Sequence, residues 1–253
     1  MSDDFFIGYA DTSAPGHRRQ SLRAGLAFLV LGLGATALIA ANQSQPIQGA
    51  NFEFGNVETF RGLFVAEPVP MLCLAERDPT TKASVFLLVD EWKFGIDEEQ
   101  AKQLHLKQVE LQGTRIYVEG GQAMLEAVSS SIREADTPDV IEVSEPVPLG
   151  EHTLEGEIVD SKCYLGVMNP GTLKTHRACA IHCIRGGIPP ILLVRADDGT
   201  RQEFVLVGPD GEAVNDRVLD HVAAPIRIRG QVERSGPLLV LKADPAAIER
   251  LDR

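Results

Sequence analysis

Apolar and polar positions along this chain fall into three patterns. From Leu22 to Ala41 the residues are almost wholly apolar, and Arg23 is the last charge in the run. About 20 such residues match the length of an α-helix that crosses a hydrocarbon core. The second pattern is alternation with period two, in Val109-Glu110-Leu111-Gln112, Ile116-Tyr117-Val118 and Ile226-Arg227-Ile228-Arg229. Side chains that point to opposite faces in turn predict half-buried strands. The third is a helical stripe. Thr172 or Thr175 is placed to cap it, and Gly186-Gly187 followed by Pro189-Pro190 is placed to stop it.

The strand-rich part of the chain repeats itself. Residues 86–113 line up with residues 204–230, and two strands about a glycine turn follow in each copy (Gly120-Gly121 and Ser235-Gly236). Upstream, residues 57–67 match residues 151–161 and align Gly62 with Gly156. Several blocks in the same order at similar spacing indicate a tandem repeat. Short antiparallel strands with one small helical connection per copy predict a small barrel of the OB type. The expected fold is therefore mainly β: a transmembrane helix followed by two tandem OB-like barrels, the second carrying a Cys/His-bearing helical insert. The corresponding divisions are a cytoplasmic tail 1–20, an anchor 21–41, a linker 42–56, a first barrel 57–136, a Pro- and acid-rich linker 137–150 and a second barrel 151–253. The copies differ most between Gly156 and Phe204, where the second holds a surplus that falls on residues 160–190. A barrel that forms without such a segment does not require it, which marks it as a place for function.

Charge sets the orientation of the anchor. His17, Arg18, Arg19 and Arg23 stand at or before the start of the apolar run, and no further Lys or Arg occurs until Arg61. The excess of positive charge predicts residues 1–20 on the cytoplasmic side and the remainder across an inner membrane, in the periplasm. A cleaved signal peptide ending near Ala35-Thr36-Ala37 is the competing reading. Arg18-Arg19 also resembles a twin-arginine signal, although Ser21 departs from it. The net charge of −12 gives no basic face for a phosphate backbone and excludes a nucleic-acid partner. A hydrophobic content of 44% suffices for folded barrels.

The chemistry gathers in DSKCYLGVMNPGTLKTHRACAIHCIRGGIPP, residues 160–190. On a helix His176, Cys179 and Cys183 stand at i, i+3 and i+7, within about 60° of one another, and His182 points away. Cys163, at the end of a strand-like run, completes a set of three thiols and one imidazole. That set suits zinc or an iron–sulfur cluster. The same thiols suit a disulfide instead, Cys163 with Cys179 or Cys183, in a non-metal scaffold. Asp160 and Tyr164 flank Cys163 as candidates to hydrogen-bond a ligand, and Lys174 and Arg177 as candidates to lower a thiol pKa. Cys73 reads as a lone buried thiol. Phosphate-binding glycine loops and the G-x-S-x-G, H-E-x-x-H and C-x-x-C-H motifs do not occur, so no catalytic activity of its own is expected.

The string GEIVDSKCYLG…HRACAIHCIRGGIPP resembles small exported bacterial domains with a G-x-(I/V)-V-D-x-x-C-Y…H-x-x-C-A-x-x-C…G-x-P pattern. The match covers about 40 residues of the second copy. It implies an exported location and joint action of Cys163, His176, Cys179 and Cys183, and it implies no reaction. The anchor is similar, more loosely, to those of Rieske-type subunits, whose paired Cys-x-His ligands are absent here. Together these readings predict a membrane-anchored, metal-binding accessory subunit of a respiratory or other electron-transfer complex. Its expected partners are the bilayer, through residues 21–41, and subunits of that complex.

Overall fold

The computed structural model describes residues 15–43, 50–118, 121–136, 141, 143 and 145–251. Of the expected tail only residues 15–20 are described, and Gly120 of the first hairpin turn lies outside the described residues. The chain divides into two compact units, 1–45 and 46–253. The first contains helix α1 (Pro15–Gln43), which has a proline at its first position, where a missing N–H costs no intrahelical bond. Residues 15–41 of α1 are long and apolar enough to cross a membrane, with a mean hydropathy of 2.2.

The second unit is built from strands. In its first half these are β1 (Ala50–Phe52), β2 (Glu58–Val65), β3 (Met71–Cys73), β4 (Val85–Asp90), β5 (Lys107–Val118), β6 (Ala123–Ala127) and β7 (Arg133–Glu134), with helix α2 (Glu98–Leu104) between β4 and β5. The pairing order β5-β2-β3-β4-β6 closes through β6 on β5, and every pair is antiparallel except β4–β6. The second half contains β8 (Val147–Asp160), β9 (Pro190–Arg195), β10 (Arg201–Val207), β11 (Pro225–Ser235), β12 (Leu238–Lys242) and β13 (Glu249–Arg250). Here β11-β8-β9-β10-β12 closes through β12 on β11, again with one parallel pair, β10–β12. Two closed five-strand barrels of one connectivity result, so no long strand edge of either is left open.

The repeated glycines have a steric cause. A methyl group on Gly62 would collide with the carbonyl of Cys73 on the neighbouring strand, and one on Gly156 with that of Leu193. At each of these positions only a residue without Cβ lets the neighbouring backbone approach.

Segment boundaries differ from the sequence reading at two places. Residues 50–52, expected in a linker, form β1 and pair with Ile116–Val118 of β5. β8 begins at Val147, inside the second expected linker, because Val147 and Pro148 extend the pairing with β11 past a register shift at Val232/Glu233. Each extension gives backbone groups a partner on an existing strand.

The core has three parts. Phe60, Phe64, Leu72, Phe86, Leu88, Val109, Leu111 and Leu125 fill the first barrel. Ile158, Leu192, Phe204, Leu206, Ile226, Ile228 and Leu241 fill the second. The third is a layer between the barrels. There Leu63, Val65, Leu87 and Val89 from the first meet Val159, Ile191, Leu193, Val205 and Val207 from the second, in one cluster that also holds Cys73. Successive side chains on β4 thus point alternately into the barrel and into this layer, and the strand is apolar on both faces.

Candidate metal centre

Between β8 and β9 lie residues 161–189, whereas the equivalent strands of the first barrel are joined by residues 66–70. The longer connection starts as a π-helical turn, Cys163–Val167, and continues through helix α3 (Leu173–Arg185). Thr172 occupies the N-cap of α3 without donating or accepting a side-chain cap bond. The carboxylate of Glu157 on β8 accepts from the first helical N–H, that of Leu173, in its place. Thr175 Oγ1 reaches only back to Thr172 O, at 3.5 Å. At the other end Gly186 N–H donates to His182 O and Gly187 N–H to Ile184 O. Gly187 has φ of 100°, a left-handed conformation that glycine adopts without strain.

The helix turns its cysteine stripe inward. His176 and Cys183 are buried, Cys179 is half-buried and His182 is exposed. Cys163 comes down from the end of β8, and the Sγ atoms of Cys163, Cys179 and Cys183 all lie within 4.8 Å of one another. All four cysteines, Cys73 included, are free thiols. With Zn–S bonds of about 2.3 Å, two sulfurs on one tetrahedral ion stand about 3.8 Å apart, so these three fit a single ion. Three cysteine thiols are equally the ligand type of an iron–sulfur cluster.

His176 stands to one side of the thiols. Its Nε2 lies 3.0 Å from Oδ2 of Asp160, a carboxylate with no exposure to solvent. Asp160 Oδ1 accepts from the N–H of Cys163 at 2.8 Å. Asp160, Cys163 and His176 form a second group of ligating atoms within 4.8 Å, which shares Cys163 with the three-thiol group. Asp160 is therefore where the sequence placed it, one hydrogen bond from two candidate ligands. Tyr164 is not: its hydroxyl donates to Glu203 Oε1 at 2.8 Å, and burial foremost pushes its pKa up.

The cation at the thiols is one that the sequence did not single out. Lys93, on the loop between β4 and α2 of the first barrel, donates from Nζ to Cys179 Sγ at 2.8 Å and lies 3.8 Å from Cys183 Sγ. That contact raises the pKa of Lys93. Of the two expected cations, Lys174 is exposed, and Arg177 donates to the carbonyl of Asp220. By helical spacing both point away from the sulfur stripe. Within the stripe, Cys163 and Cys183 share a hydrogen bond that splits their titration. Cys163 is pushed well up by that bond, by burial and by the Asp160 charge. Cys183 is lowered to about 7 by the same bond, against burial and the Asp160 charge, with help from Lys93. The shared bond thus makes Cys183 the more readily ionised thiol of the pair.

The loop that carries Lys93 is clamped from the second barrel. Lys162, beside Cys163 and almost wholly buried, donates to the carbonyls of Asp90 (2.9 Å) and Trp92 (2.7 Å) and to Glu126 Oε1 (2.7 Å). Gly95 N–H donates to Gly186 O at 2.9 Å. A methyl on Gly95 would strike the carbonyl of Gly187, and one on Gly186 that of Lys93. The centre is thus closed by both barrels. Neither a protein-family model nor a curated protein matches the chain.

Proposed function

We propose that this chain is a membrane-anchored metal-binding protein that holds one ion in the second barrel. α1 would tether it to an inner membrane with the barrels in the periplasm, and it would serve as an accessory subunit of an electron-transfer complex. The observation that carries the reading is the convergence of three unpaired thiols within 4.8 Å of one another. Soft thiolates at that spacing bind zinc or another thiophilic ion. We read the barrels as OB-like from the order first-second-third-fifth-fourth strand with a parallel third–fifth pair, and residues 161–189 as an insert on that scaffold. The positive charges from His17 to Arg23, at the start of the apolar helix, support the periplasmic orientation.

The test uses the full-length chain purified in detergent, with elemental analysis and thiol titration side by side. About one equivalent of metal that protects three thiols is the expected result. Metal-free protein that has lost two thiols to a disulfide would replace this reading with that of a stapled scaffold. Protease accessibility of the barrels in intact spheroplasts tests the orientation independently, since barrels protected from added protease would place them in the cytoplasm.

A further inference from the structure

Resting on the metal-binding reading, we propose that the ion is copper(I), held in three-coordinate geometry by Cys163, Cys179 and Cys183, with Lys93 supplying the counter-charge. The donor set is all sulfur. Zinc in a structural site takes four protein ligands, and among the described residues no fourth ligating atom joins this group. The nearest imidazole, His176, is held by the buried Asp160. Copper(I) is soft, and three thiolates complete its shell. Three thiolates around a monovalent ion carry two excess negative charges, and Lys93 offsets one of them beside two buried sulfurs. Cys179, half-buried, is the one sulfur that an incoming soft ligand can reach, so loading and release would pass through it.

The full-length chain in detergent, reduced and kept anaerobic, is titrated with copper(I) in competition with bathocuproine disulfonate. One copper(I) per chain should be drawn from the chelator, and X-ray absorption should show three sulfurs and no nitrogen around it. Prebound zinc should be displaced. Cys163 and Cys183 are buried and their serine variants risk misfolding, so Cys179→Ser, checked by circular dichroism, is the decisive variant and should lose one-to-one capture. Lys93→Ala should weaken retention by about tenfold to a hundredfold, the range for a group that contacts a ligand rather than the ion. Zinc retained at one equivalent while all copper(I) stays with the chelator would overturn the proposal and leave the metal-binding reading standing. A nitrogen in the copper shell would overturn the three-sulfur geometry. Failure to hold either ion would overturn both.

Discussion

The two barrels share a connectivity and differ in where they keep their polar groups. At the register position where Val232 of the second barrel sits opposite Leu241, the first has Arg115 opposite Leu125. Val232 is buried among apolar side chains. Arg115 is equally buried but gathers Asp78, Glu58 and Glu53 as ion-pair partners and lies 4.9 Å from the centre of the Phe60 ring. The second barrel concentrates its buried polarity at Glu157 and Asp160 on β8 and at Ser161, Lys162, Thr172 and His176 in the connection that follows, which is far longer than its counterpart in the first barrel. One scaffold therefore tolerates a charged network at either of two places. Only the second location brings thiols with it, and only there does the other barrel supply a cation.

The largest expected effect follows from that contrast. Arg115→Met leaves Asp78, almost fully buried, without its cation, and should cost about 3–5 kcal/mol in denaturant unfolding. Arg115 also helps to hold the Asp78 carboxyl down. Burial opposes this, and is outweighed by the Thr81 N–H and Arg115. A carboxylate with a depressed folded pKa stabilises above its ordinary value of 3.8 and loses that contribution as pH falls through the lowered value. The native protein should accordingly lose stability as pH falls from 3.8 through the lowered value, and the variant should lose less. A Met variant as stable as the native chain would show that the network is dispensable and the two barrels energetically alike.

Next in size are Leu192→Ala and Leu193→Ala, neighbours on β9 that face the barrel interior and the layer between barrels respectively. Each should cost about 2–5 kcal/mol, and both should shift one common unfolding transition. A Leu193 variant costing under about 1 kcal/mol, or splitting the transition in two, would make the barrels separable domains.

Smaller still, Gly186→Ala pushes a methyl into the Lys93 carbonyl, and overpacking of this kind costs about 1–3 kcal/mol. It should also reduce metal retention, because Lys93 is displaced from Cys179. Unchanged retention in a destabilised variant would separate the clamp from the thiol site.

Glu203 gives the smallest effect. Burial raises its pKa, against the Tyr164 hydrogen bond. A raised carboxylate favours the folded state while protonated, so stability should decline as pH climbs from 4.5 through the raised value. Glu203→Gln keeps an acceptor for Tyr164 and should flatten that slope. An unchanged slope would mean that Glu203 is open to solvent in the folded protein.

Much of this architecture was legible in the sequence. The Gly62/Gly156 match and the period-two runs located both barrels, because backbone collisions and pleat geometry act locally. The stripe His176, Cys179, Cys183 located the inward face of α3 for the same reason. Lys93 was not legible. It meets Cys179 across a separation of 86 residues and reaches it from a loop whose sequence, Glu91-Trp92-Lys93-Phe94, looks like an exposed turn. The position of His176 was half legible: helical spacing gave its face, and the buried carboxylate that holds it became visible only once β8 and α3 were packed. The layer between barrels left a trace in Phe86–Val89, Ile191–Val194 and Phe204–Val207, apolar at every position where a one-sided strand would alternate.

That layer bears on how such a chain can change over generations. A doubled ancestor whose halves were still independent could have lost either one. Once Leu63, Leu87 and Val89 came to face Ile191, Leu193 and Val205, deletion of one half would leave the survivor with a broad sticky face toward water. Each half is part of the other's solvent, so a change on either face of the layer is felt by both.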